Sequence, residues 1–187
     1  MSAREVVQNQ APVRRLKNQL MLAAGDKAIY PGLGPCRIGR IENKVVGDAS
    51  VMFYHLIILD DSRGELFVPV EKARNIGVRS MLKKSQIPKL LAHLQKNAKA
   101  ADNWKQRATD NSKLLSSGSP YDLAEIVASL TGLRNGRPLT LGESGTLDRA
   151  RRLLVCEISE VMGTSKTDVE EQITKLLNES SYLKKSA

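Results

Sequence analysis

Two histidines, two cysteines and one tryptophan are the scarce side chains in this 187-residue chain with distinctive chemistry. An active site needs nucleophiles, acids, bases or metal ligands that converge. His55 lies between Tyr54 and Leu56 in an apolar run, where it reads as a structural or surface residue. His93 stands apart, and neither has cysteine or histidine company at zinc-ligand spacing. Cys36 and Cys156 occupy positions that suit small apolar side chains, and they read as buried, inert thiols. Their wide separation fits a reducing compartment better than a disulfide scaffold. Gly32-Leu33-Gly34 is bracketed by Pro31 and Pro35 with no helix after it, so it is a tight turn and not a phosphate cradle. Gly142 to Gly145 has a serine between glycines but no preceding strand, so it is no nucleophile elbow. The expectation is a protein that binds rather than catalyses, with no metal and no cofactor.

The charge points to what it binds. The net charge is +9 and the isoelectric point about 9.7, which makes an anionic partner, nucleic acid first, the natural expectation. Residues 83–113 hold eight Lys/Arg against two acids, a local excess of +6, whereas residues 114–187 hold nine against ten. The lone tryptophan, Trp104, falls inside that basic run, next to Lys105 and near Arg107. Such a residue can be an exposed plate that wedges against an unstacked base pair, flanked by phosphate-seeking cations. It can equally be a core anchor between two helices. The basic run is either a backbone-binding surface or a solvated face. Lys96, Lys99 and Lys105 do not share one helical stripe, and nothing resembles a base-reading helix, so any DNA contact should be to backbone and shape.

A second surface lies around Glu65 to Pro69. Leu66 and Phe67 are adjacent in a strand and must point to opposite faces. One of them therefore leaves the core of its own sheet, near basic Lys44, to meet a partner protein or be covered by the rest of the chain.

These residues must be positioned by two kinds of structure. Residues 1–22 are polar and basic, an arm that is helical near Val13 to Leu22. Lys17, Asn18 and Gln19 interrupt its apolar patch, so no secretory signal is expected, and no apolar run approaches a membrane span. From 25 to 79 short alternating segments are broken by turn signals at Pro31 to Pro35, Gly47-Asp48 and Asp60 to Gly64, with Glu65 to Val70 as a strand. That pattern predicts a small antiparallel β-barrel of the Tudor/SH3-like kind over 23–80. From about 85 the period becomes helical, predicting a compact bundle of about five α-helices over 81–187. Ser85 and Asp102 are the expected caps of the first two helices, with Gly118 stopping the second. Ser119-Pro120 opens a third, which carries Leu123, Ile126, Val127 and Leu130 on one face. Capping boxes at Thr140/Glu143 and Thr167/Glu170 open helices running to about Met162 and Asn178. With 41% hydrophobic and 26% charged residues, this two-domain β + α chain can bury its cores without staples.

Several blocks together resemble the CarD/CdnL family. They are GDKAIYPGLG at 25–34, FYHLIIL at 53–59, LFVPV at 66–70, NIGVR at 75–79, NWKQR at 103–107, KLLSSG at 113–118, LAEIV at 123–127 and LDRARRLLV at 147–155. The resemblance spans residues 22 to 178 in order. It implies a Tudor-like domain that binds the β subunit of bacterial RNA polymerase. It also implies a helical domain that touches promoter DNA at the upstream edge of the melting region and stabilises the open complex. By matching motifs Trp104 is the wedge, and Lys105 and Arg107 are its phosphate contacts. Lys99 and Lys113 are further DNA-contact candidates in the basic run. Lys44 with Val45, and the strand residues Leu66, Phe67 and Val68, match the polymerase contact. The resemblance implies a cytoplasmic, nucleoid-associated monomer that regulates transcription without catalysis. The chain departs from the family where Gln106 stands in place of an arginine, where Ser144 and Gly145 follow Glu143 in place of a basic residue, and at Phe67, where an arginine is common. Those departures leave open an alternative, a polymerase-binding adaptor with little or no DNA activity of its own.

Overall fold

The computed structural model describes residues 22–60, 64–95, 101 and 103–185. All but the last residue of the expected helix near Val13 to Leu22, most of the turn after Asp60, the cap at Asp102, and Lys96 and Lys99 lie outside them.

Five strands build an antiparallel sheet: β1 (Lys27–Tyr30), β2 (Gly34–Val46), β3 (Ala49–Ile58), β4 (Glu65–Pro69) and β5 (Arg79–Ser80), in the order β4-β3-β2-β1-β5. Alternation dictates its two faces. Ile38, Tyr54, Leu56, Ile58 and Val68 point inward with Ala28 and Cys36 to form the first hydrophobic cluster. Arg40, Glu42, Lys44, Phe53, His55 and Phe67 share the other face, as the register pairs Arg40 with His55, Glu42 with Phe53, and His55 with Phe67. The two-residue turn at Gly47-Asp48 closes the β2–β3 hairpin, as expected. This is the Tudor-like module.

Helix α1 (Val70–Ile76) replaces part of the β-structure expected up to residue 79. Pro69 ends the strand, Glu71 suits the first turn and Arg74 the last, and Gly77 stops the helix in the left-handed conformation (φ 95°). Seven residues are too few to show a helical period in the sequence.

The bundle follows, with α2 (Ile87–Leu94), α3 (Trp104–Ser117), α4 (Pro120–Arg134), α5 (Leu141–Met162) and α6 (Lys166–Lys185). Leu123, Ile126, Val127 and Leu130 of α4 meet Leu147, Ala150, Leu154 and Ile158 of α5 in a second cluster, joined by Leu90 and Leu94 of α2 and Ile173 of α6. Ser119 caps α4 and Thr140/Glu143 form a reciprocal capping box on α5, as their sequence patterns predict. Three helix starts differ. Ser85 lies inside a 3-10 turn (Lys84–Gln86) rather than capping α2, because Lys83 N–H donates to the Gln86 side chain and Pro88 sets the first α-turn one step later. Asn103, not Asp102, caps α3, its Oδ1 accepting from Lys105 N–H at 2.9 Å. Ser165 Oγ accepts from Asp168 N–H at 3.0 Å, so α6 starts before Thr167 and the Thr167/Glu170 pair is internal to it. The helix also continues beyond Asn178, to Lys185. No helix among the described residues is long and apolar enough to cross a membrane.

Candidate functional site

Two surfaces gather the residues singled out from the sequence. On the first, Phe67 lies exposed on β4, an outer strand laddered to β3 alone among the described residues. Its ring stacks on His55 at 4.8 Å, and the Lys44 ammonium stands 3.1 Å from its centroid. His55 is itself buried, its Nε2 2.9 Å from Glu65 Oε2. Lys44 also pairs with Glu42 at 3.1 Å. The Glu42 carboxyl is held below its usual range, first by the Lys44 hydrogen bond and also by Arg40, despite some desolvation. The patch is thus an aromatic ring fixed between a cation and an imidazole. Val45 is largely exposed, and by strand alternation its side chain leaves the opposite face of β2 from Lys44. Leu66 and Phe67 do diverge: Leu66 is half-buried against the first cluster and Phe67 faces solvent. Val68 is buried in that cluster, so its side chain cannot meet a partner, contrary to its place among the contact residues.

The second surface is an open depression lined by Asn103, Trp104, Lys105, Arg107, Arg137 and Thr140, where the N-terminal ends of α3 and α5 come together. Asn103 caps α3 and thereby puts Trp104 at its first position, where the indole is 64% exposed. A core-anchor role is incompatible with that exposure. Lys105 extends beside it, Nζ 5.6 Å from the ring. The first turn of α3 carries no acid, so the positive end of its dipole adds to this cation.

Arg107 takes a different part from the one expected. It is 7% exposed, and its guanidinium donates to Glu143 Oε1 at 3.0 Å and to the Ala101 carbonyl at 2.6 Å. A phosphate could reach it only by breaking those bonds; in the structure Arg107 ties the start of α3 to the start of α5. The same Glu143 carboxylate accepts from Arg137 at 2.9 and 3.2 Å and from Thr140 N–H at 2.9 Å. The Arg137 hydrogen bond above all, aided by Thr140 and Arg107 and opposed by desolvation, holds the Glu143 carboxyl down at about 2.

Lys113 is exposed on α3 but lies half a turn around the helix from Trp104 and roughly 13 Å along it, so it does not join this depression. Lys99 lies outside the described residues. Gln106 donates to Asp110 at 2.8 Å and is not aimed at the depression. Sequence reading missed two residues. Arg137 lines the site, and Leu141, the first residue of α5 beside Thr140, is 92% exposed. The signal available for both was the Arg134 to Pro138 loop followed directly by the capping box.

Elsewhere, burial pushes the Cys36 thiol up to about 11, against weaker opposing backbone hydrogen bonds, which fits an inert core residue. No group of His, Cys, Asp or Glu among the described residues could hold a metal ion.

A Tudor-like sheet with an aromatic-cationic patch is thus followed by a bundle that presents a solvent-facing tryptophan. Residues 22–81 match the family described as CarD-like/TRCF RID domain, and residues 89–174 match the one described as CarD, C-terminal domain. The chain belongs to the CarD family of RNA polymerase-interacting transcription factors.

Proposed function

We propose that the chain binds the β subunit of RNA polymerase through Phe67, Lys44 and Val45, and lays Trp104 against promoter DNA at the upstream fork to stabilise the open complex. The single observation that carries this reading is the 64% exposure of the only tryptophan, beside Lys105 at a helix N-terminus braced by the Arg107–Glu143 pair. An aromatic plate that keeps this exposure is available to stack on an unpaired base step. An outer strand such as β4 can accept a partner's strand, with Phe67 as the side-chain anchor. The role is non-catalytic. Preferential affinity for the melted state alone shifts the closed–open equilibrium, tenfold for each 1.4 kcal/mol or so.

The adaptor reading has one observation in its favour. With Arg107 turned inward and Gln106 tied to Asp110, Lys105 and the partly exposed Arg137 are the cations that line the depression around Trp104.

Because Trp104 is the sole tryptophan, its fluorescence reports the contact directly. Titration with forked duplex should quench it, with a shallow salt slope of about −2 from two or so phosphate contacts. Unchanged emission at saturating forked duplex would favour the adaptor.

A further inference from the structure

The two modules meet at a buried joint, and its geometry mirrors that of the tryptophan site. Arg79, on β5, donates from Nη1 and Nη2 to the two carboxylate oxygens of Glu157, each at 2.7 Å, and from Nε to the carbonyl of Gly118 at 2.7 Å. Glu157 is 1% exposed and also accepts from Leu82 N–H at 3.2 Å. Gly118 is the end of α3, whose first residue is Trp104, and Glu157 sits on α5, whose first turn holds Glu143. Two arginine–glutamate rungs therefore tie the same two helices. Arg107–Glu143 joins their starts, and Arg79 grips the end of α3 and the far half of α5. The rungs are separated by about four turns of helix, roughly 21 Å.

Other contacts make this seam tight. A side chain at Gly77 or Gly118 would come within 2.9 or 3.0 Å of Pro31, and one at Gly34 within 3.2 Å of Leu153. Arg149 donates to the Gly32 carbonyl and Lys27 pairs with Glu160 at 2.7 Å, so α5 turns Arg149, Leu153, Glu157 and Glu160 toward the Tudor-like module.

We propose that the Arg79–Glu157 pair is a positioning device, which fixes where Trp104 stands relative to the Phe67 strand. Glu157 is the buried partner, so an arrangement that withdraws Arg79 strips its carboxylate of its charge partner; such a pair adds little net stability over an apolar pair of the same shape but favours one geometry. Here that geometry is the relative placement of the two modules. A wedge delivered by a partner anchored elsewhere works only if the connection is stiff, since a misplacement of about 1 Å can cost a hundredfold in an oriented contact. The functional half of this inference rests on the polymerase–DNA reading above; the mechanical half does not.

The test uses the full chain with spin labels at Asp48→Cys, on the tip of the β2–β3 hairpin, and Ala108→Cys, on the exposed side of α3. Both native cysteines are buried. Interspin distances are measured in the otherwise unchanged protein, in Arg79→Lys and in Glu157→Gln. Arg79→Lys keeps the charge and loses the fork, at a side chain that already reaches solvent, and so serves if Glu157→Gln fails to fold. One narrow distance distribution is expected for the parent and a clearly broadened one for the variants. Open-complex lifetime gain should fall about tenfold, equivalent to roughly 1.4 kcal/mol of lost coupling, while polymerase affinity and forked-DNA affinity change less than about twofold. Distributions as narrow in both variants as in the parent would overturn the positioning role. So would a lifetime gain that survives broadening, or one lost together with either affinity. If the parent itself fails to extend the lifetime, the proposed function falls, and the distances still decide whether the pair fixes the modules.

Discussion

Lys44 and Phe67 come from strands on opposite sides of β3, yet the ammonium of one stands 3.1 Å from the ring centroid of the other. The contact orders a long side chain that would otherwise sample many rotamers, and it brings a cation to an aromatic ring on the outer strand β4. The patch thus combines a ring on β4 with a lysine that reaches it from β2, across β3.

Phe67→Ala should weaken polymerase binding by about 2 kcal/mol, roughly thirtyfold, as loss of an aromatic anchor does. Lys44→Glu should weaken it further and slow association, because it also places a second carboxylate beside Glu42. Both variants should fold normally, since both side chains reach solvent. Surface plasmon resonance against the isolated β subunit reads both effects.

Glu143 gives a pH prediction. Its carboxyl is held at about 2, against a usual value of 4.5, chiefly by Arg137 and also by Thr140 and Arg107. A carboxyl depressed in the folded state contributes stability that is fully present above its unfolded pKa and is lost as pH falls through the folded one. The contribution should therefore disappear between about pH 4.5 and about pH 2. Glu143→Gln should remove most of that acid dependence and cost on the order of 1–3 kcal/mol at neutral pH, because two guanidiniums lose a charged acceptor. Urea titrations of both proteins across that range measure it.

Gly145 occupies the second turn of α5, exposed, and a Cβ there would meet nothing within 4 Å. Gly145→Ala should stabilise the protein by roughly 0.5–1 kcal/mol through backbone entropy alone. Gly145→Lys should add a similar gain and, by adding a cation on α5 near its start, also tighten forked-DNA binding. Thermal melts and fluorescence titrations separate the two effects.

Much of this architecture can be read from local signals. Ser119-Pro120 and the Thr140/Glu143 box mark helix starts because caps are chemistry between near neighbours. Leu147, Ala150, Leu154 and Ile158 reveal the buried face of α5 because a helix repeats. Helix α1 was hidden because seven residues after a proline-ended strand show no period. The inward turn of Arg107 was hidden for another reason. Its partner is 36 residues away, and a basic run does not say which cation faces out. The same holds for Val68, whose side of the strand is fixed by pairing with Tyr54, and for the Arg79–Glu157 joint, whose partners are 78 residues apart.

In the proposed mode of action Trp104 acts on melted promoter DNA while Phe67 and Lys44 hold the protein on polymerase. The most direct test is open-complex lifetime at a promoter that melts poorly, with purified polymerase and the parent protein, Trp104→Ala or Lys44→Glu. The parent should lengthen the lifetime about tenfold or more, a coupling of at least roughly 1.4 kcal/mol. Trp104→Ala should bind polymerase normally and lose that gain, with its folding stability unchanged to within about 0.5 kcal/mol because the indole packs into no core. Lys44→Glu should lose the gain through weakened polymerase binding. A parent protein that binds polymerase yet leaves the lifetime unchanged, or a Trp104→Ala variant that extends it fully, would rule out a wedge role for Trp104.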